Sequence, residues 1–297
     1  MSLLVRTAGT CLALCKIRIS LFSCLSAATG FLLSARWVKP EMVVLMIGIC
    51  FLACGSSALN QWQERDSDLI MSRTRNRPIP SGMIRPSHAR CFSLILIFLG
   101  SIALLLTGKI AAPLLGLSAV FWYNGVYTPL KKRTAFAAVP GALVGAVPPA
   151  VGWITGGGDL QEPELLALCF FFFLWQIPHF WLLVLSHGEE YREAGFPALT
   201  GIFTRPQLSR MIFNWIVATA VSSLILSVYS APGSSLVNVL LTVLSLWLVW
   251  NGIQLLRGQG GERLCALTFR RMNAYMFIVM LLLSLDKLLI HLPVFKA

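Results

Sequence analysis

Apolar runs of about twenty residues, separated by short polar breaks, occupy nearly the whole chain. They predict nine membrane-crossing helices, at roughly 17–35, 42–59, 91–108, 112–130, 136–155, 165–187, 211–230, 236–256 and 272–290. Each is long enough to cross a hydrocarbon core of about 30 Å. The last carries Asp286 and Lys287 near its end, which the pattern places at the interface where the helix emerges. One polar run stands out, residues 60–78, with Glu64, Asp66, Asp68 and four arginines. No Gly or Pro separates it from the preceding apolar segment, so that helix is expected to continue into it. Asn60, Glu64 and Asp68 then fall on one face at i, i+4 and i+8. An amide and two acids on one stripe at a helix end form a site suited to a hard cation.

Composition agrees with the spans. The chain is 57% hydrophobic and 12% charged, and soluble domains carry about twice that charged fraction. The expected fold is an all-α membrane protein, a single polytopic domain over residues 1–297. A net charge of +12 could point to nucleic acid, but membrane proteins retain Lys and Arg in cytoplasmic loops. With the N-terminus cytoplasmic, inside segments hold 19 of the 24 basic residues, while Asp159, Glu162 and Glu164 share an outside loop free of bases. The C-terminus then lies outside. The informative loops, about 60–90, 131–135 and 187–210, are all cytoplasmic, so the helices should surround a central cavity opening near that side. The eight cysteines include no C-x-x-C, and Cys11/Cys15 and Cys50/Cys54 have helical spacing, which reads as packing rather than metal or disulfide chemistry. The N-terminal fifteen residues match neither a presequence nor a cleaved signal. A bacterial inner-membrane location fits best.

Three further groups bear on chemistry. Glu189, Glu190 and Glu193 form a second acidic cluster on the cytoplasmic side, able to face the first across a cavity. Such hard oxygen ligands suit Mg²⁺, which takes carboxylates together with substrate phosphate. The bases Arg73, Arg77, Lys131, Lys132 and Arg133 could neutralise a diphosphate leaving group. Acids and bases in such loops are also what solvation and charge bias alone would give. The run 170–181 is strongly aromatic but carries Gln176 and His179, three apart, with Pro178 between them. Polar groups at such depth usually face a cavity or a partner. His88, His187 and His291 lie near interfaces and carry little signal. Gly141 and Gly145 permit close helix packing, and Pro148-Pro149 should kink or break their span.

Asn60, acids four and eight residues later, and Met71-x-Arg-Thr-x-x-Arg-Pro78 together resemble the signature of the UbiA superfamily of intramembrane prenyltransferases. Tyr127-Thr-x-x-x-Lys-Arg, Gly145-Ala-x-Pro-Pro, Trp175-Gln-x-Pro-His-Phe180 and Glu190-Tyr-x-x-Ala-Gly-x-Pro197 narrow the resemblance to the protohaem IX farnesyltransferases (haem O synthases). These matches run from about residue 16 to 200. Glu64 and Glu190 stand where the pattern more often has Asp, and Ala137 where many haem O synthases have Asn.

The resemblance implies farnesyl diphosphate as donor, held through Mg²⁺ by Asn60, Glu64 and Asp68 and by Glu190. Glu64, Asp68 and Glu190 would be the metal ligands, with the bases on the diphosphate. It implies haem b as acceptor, and His179 either ligating haem iron or placing a proton or water. Membrane lipid surrounds the protein, and a haem A synthase or an oxidase-assembly protein is the expected protein partner. Two other functions stay open. A quinone-precursor prenyltransferase would keep the chemistry and change the acceptor. A cation-coupled transporter would place its site near the midplane and show repeated halves, whereas these acids gather on one side.

Overall fold

The computed structural model describes residues 3–229, 235–257 and 261–289, and every regular element among them is helical. In chain order these are α1 (Leu3–Leu14), α2 (Ile17–Ala35), α3 (Glu41–Ile70), α4 (Pro86–Leu105) and α5 (Ala111–Phe121). A π-helical turn, Trp122–Tyr127, then leads into α6 (Thr128–Leu130), α7 (Ala138–Gly141), α8 (Leu143–Gly156) and α9 (Pro163–Glu193). A 3₁₀ turn at Leu199–Gly201 precedes α10 (Arg205–Tyr229), α11 (Ser235–Leu256) and α12 (Gly261–Leu289). His291, Lys296 and the predicted ends of two spans, Ser230 and Ile290, lie outside the described residues.

Among the described residues eight helices are long and apolar enough to cross a membrane, α7 and α8 counting together as Ala138–Gly156. The fourth predicted span, 112–130, is helical from 111 to 130, but the π turn divides it into pieces too short to qualify singly. In the predicted helix around 42–59, the chain does continue unbroken to Ile70.

Two features sharpen the expected geometry. Pro148 and Pro149 both stay inside α8, and the helix is instead interrupted upstream at Ala142. Neither proline can donate to the preceding turn, and the Gly145 amide reaches Ala142 at 3.1 Å, a tightened i→i+3 closure. In α9, Pro178 is likewise accommodated, and the non-helical residue is His187, with φ −130° and ψ 23°. Close helix packing occurs where α2 meets α8: a Cβ on Gly30 would strike the Pro149 carbonyl, and one on Gly152 the Ala27 carbonyl. Gly141 and Gly145 instead receive side chains, the Tyr127 ring and the Gln176 amide.

Asp286 and Lys287 do not emerge at a free interface. Both are buried, and Lys287 Nζ lies 3.2 Å from Glu164 in the first turn of α9. The pair links the end of α12 to the start of α9.

Candidate functional site

The polar extension of α3 is the centre of the site. Asn60, Glu64 and Asp68 are each at most 3% exposed, so the i, i+4, i+8 stripe faces the bundle as the pattern predicts. Buried charge is tolerable only when paired, and each member of the stripe meets a cation. Arg77 Nη1 donates to both Asp68 oxygens at 2.8 Å. Lys131 forms an ion pair with Glu64. Lys16 Nζ donates to Asn60 Oδ1 at 2.9 Å.

Local structure explains how these partners arrive. Beyond α3, Thr74 Oγ1 donates to the Asp68 carbonyl at 2.9 Å, folding the 71–78 loop back so that Arg77 returns to Asp68. The π turn is bound to α3 through Asn124. Its Nδ2 donates to the Ser56 carbonyl and to Gln63 Oε1, each at 3.1 Å, while its Oδ1 accepts from Ser56 Oγ at 2.6 Å. Asn60 Nδ2 donates to Thr128 Oγ1 at 3.1 Å. Lys131 follows one turn later. π turns are uncommon and gather at functional sites, and this one stacks Tyr123 on Tyr127 and Tyr127 on Phe180, with centroids 5.6 and 5.8 Å apart. Lys131 Nζ lies over the Tyr127 and Phe196 rings.

Sequence reasoning placed Lys16 only among the inside charges and missed its part in the site. It adopts a left-handed conformation, φ 45° and ψ 51°, at the α1–α2 corner. That conformation is uncommon for a side chain bearing a Cβ. Gln61 Nε2 anchors the same corner by donating to the Ala13 and Leu14 carbonyls. Burial, and next the Arg77 charge, lower the Lys16 ammonium pKa to about 7, with Glu64 opposing. A basic residue directly before an apolar span was the available signal. Nothing in its spacing tied it to Asn60.

The second acidic cluster divides. Glu190 meets the 71–73 loop, accepting from Ser72 Oγ at 2.7 Å and from the Arg73 amide at 3.4 Å. Glu189 is exposed, 3.8 Å from Arg192, and Glu193 is exposed too. The bases divide as well. Arg73 is exposed and reaches Tyr191 Oη at 3.4 Å, while Lys132 and Arg133 point to the surface without an ion pair among the described residues. Ala137, directly before α7, is buried. His179 lies between the Trp175 and Phe269 rings, at 4.7 and 4.5 Å, and within hydrogen-bonding reach of Asn273. Among the described residues, His179 Nδ1 and Gln176 Oε1 are buried without a hydrogen-bond partner.

Among the described residues no three His, Cys, Asp or Glu side chains converge tightly enough to cage a metal ion. Mg²⁺ rarely needs such a cage, since it takes one or two carboxylates and completes its shell with water and substrate phosphate. Two buried carboxylates one helical turn apart on α3, each paired with a basic side chain, fit that ion, and the basic side chains beside them would fit an anion such as phosphate.

A model of the UbiA prenyltransferase family matches residues 21–281. The chain belongs to the UbiA prenyltransferase family. The match takes in the stripe, the 71–78 loop, Lys131 and Glu190, and begins just after Lys16. A protoheme IX farnesyltransferase of Geobacter sulfurreducens is 40% identical over 73% of this chain and 80% of its own. That of Oleidesulfovibrio alaskensis is 35% identical over 93% of this chain and 95% of its own. Among solved structures, a UbiA homologue from Archaeoglobus fulgidus bound to GPP and Mg²⁺ superposes with a TM-score of 0.70 at 15% identity, covering 94% of this chain and 99% of that one. A digeranylgeranylglyceryl phosphate synthase superposes at 0.73 with 16% identity, covering 95% and 98%. This UbiA family member thus has the fold of both, an all-helical integral membrane protein.

Proposed function

We propose that this protein is a protohaem IX farnesyltransferase, moving the farnesyl group of farnesyl diphosphate to a vinyl group of haem b to give haem O. The observation that carries the reading is similarity to relatives of that name over most of both chains, joined to a buried two-carboxylate stripe whose counter-charges are basic side chains. The Archaeoglobus homologue bound to GPP and Mg²⁺ supports a donor diphosphate held with Mg²⁺ here.

Glu64 and Asp68 would hold the metal, with Glu190 approaching from the C-terminal turn of α9 and Asn60 fixing the stripe's position. Mg²⁺, when bound, supplies Lewis-acid stabilisation of the departing diphosphate. Lys16, Lys131 and Arg77, which contact the stripe, would neutralise the diphosphate oxygens, with Arg73 contributing from the loop that carries Arg77. The allylic C–O bond breaks and its electron pair leaves with diphosphate. The stacked Tyr123, Tyr127 and Phe180 rings stabilise the allylic cation through their π faces. A haem vinyl carbon forms the new C–C bond, and the cation left beside the porphyrin takes up water and loses a proton.

Topology belongs to the same proposal. The 111–130 run crosses as the fourth of nine spans, the N-terminus is cytoplasmic and the C-terminus is outside. The loops at 60–90, 131–135 and 187–210 surround a cavity open near the cytoplasmic face of a bacterial inner membrane. Purified protein given farnesyl diphosphate, Mg²⁺ and either haem b or 4-hydroxybenzoate should form the hydroxyethylfarnesyl porphyrin, and chelation should stop it. Prenylated benzoate as the sole product would overturn the acceptor assignment.

A further inference from the structure

The seam between α9 and α12 holds a cavity of about 330 Å³ that the stripe and its counter-charges do not use. Leu182, Leu183 and Phe269 supply an apolar wall, and His187 and Arg270 a polar end. Arg270 is exposed and makes no hydrogen bond or ion pair among the described residues, whereas its neighbour Arg271 donates to Gln254 Oε1 at 3.1 Å. His187 spends one ring nitrogen on the Leu183 carbonyl at 3.2 Å. The Phe269 ring also contacts His179, and His179 contacts Trp175, each pair tilted with centroids 4.5 and 4.7 Å apart. The lining thus joins an apolar wall with one aromatic ring to a polar end whose guanidinium has no partner among the described residues.

That combination complements a flat apolar molecule bearing carboxylates on one edge. Guanidinium binds a carboxylate in a planar two-point fashion that lysine cannot reproduce. We propose that this cavity is the acceptor subsite, in which Arg270 pairs with a propionate of the porphyrin and Phe269 lies against its ring. The inference rests on the haem reading above. The cavity is smaller than a whole porphyrin and takes its carboxylate edge. It shares Ser186 and His187 with a second cavity of about 420 Å³ that contains Glu190. The acceptor edge and the acid nearest the 71–73 loop therefore sit on successive turns of α9. Donor and acceptor meet across the cytoplasmic end of one helix, at the residue where that helix departs from α geometry.

Titrating the purified full-length protein with haem b and with haem b dimethyl ester, followed at the Soret band, tests this. Wild type should bind haem b more tightly than the ester. Arg270→Ala should lose about tenfold in haem b affinity, the scale of one charge-assisted hydrogen bond, and nothing towards the ester. Arg270→Lys should recover part of the loss. Farnesyl diphosphate affinity should be the same in all three proteins. Retained ester binding shows that the variant is folded. Unchanged haem b affinity in Arg270→Ala, or equal losses for haem b and ester, would overturn the assignment. A wild type that binds neither porphyrin, yet prenylates benzoate, would overturn the haem reading itself.

Discussion

Asp68 and Glu64 are both buried acids, yet they are held differently. Arg77 chelates both Asp68 oxygens, while Lys131 meets Glu64 through one ammonium. Replacing Asp68 by Asn keeps the shape and removes the charge that a hard cation requires. Turnover should fall at least about 100-fold, the scale of losing a group that stabilises developing charge, while the protein remains monodisperse on gel filtration. A wild-type rate would remove Asp68 from the metal shell. The three consecutive bases at 131–133 give a sharper contrast. Lys131→Ala should raise KM for farnesyl diphosphate about tenfold, because a charge-assisted contact is lost. Lys132→Ala should leave KM within about twofold, since that side chain is exposed on the surface. Equal effects would mean that the loop acts only as diffuse positive charge. The sequence made the stripe legible because a spacing of four survives in any α-helix. It could not choose among Lys131, Lys132 and Arg133, because adjacent residues carry no periodicity and the π turn resets the phase just before them.

At the scale of elements, the irregular features were the least legible. A π turn has no hydrophobic period of its own, so 111–130 reads as an ordinary span. The prolines at 148 and 149 announced a break but not its place, since a helix can absorb a missing donor upstream. Lys287 illustrates the same gap. Its charge near a helix end suggested an interface, and only the packing of α12 on the start of α9 brings it to Glu164. Removing one member of a buried pair costs about 3–5 kcal/mol, whereas replacing both by apolar residues is often neutral. Lys287→Ala should therefore lower the melting temperature in detergent clearly, and Glu164→Leu/Lys287→Met should recover most of the loss. A Lys287→Ala protein melting with wild type would show that the pair contributes no net stability.

Over the whole molecule, the charge bias and the helices meet in one question of parity. Among the described residues eight helices qualify as spans by length and composition, and an even number would return the C-terminus to the side of the N-terminus. The 111–130 run decides the count, because its two α pieces and π turn are continuous. Two physical constraints favour its crossing. Its backbone hydrogen bonds remain internal, as a lipid-exposed segment requires. Counting it also places Lys131–Arg133 on the same side as the 60–90 loop, where Lys131 reaches Glu64. The charge bias depends on the same parity, for without this crossing the bases beyond residue 190 would move outside. A C-terminal alkaline phosphatase fusion should therefore be active and a C-terminal green fluorescent protein fusion dark, with the reverse pattern for fusions truncated within 131–135. A fluorescent full-length fusion would mean that 111–130 does not cross. It would then have to enter and leave on the outer side while still presenting Asn124 to α3.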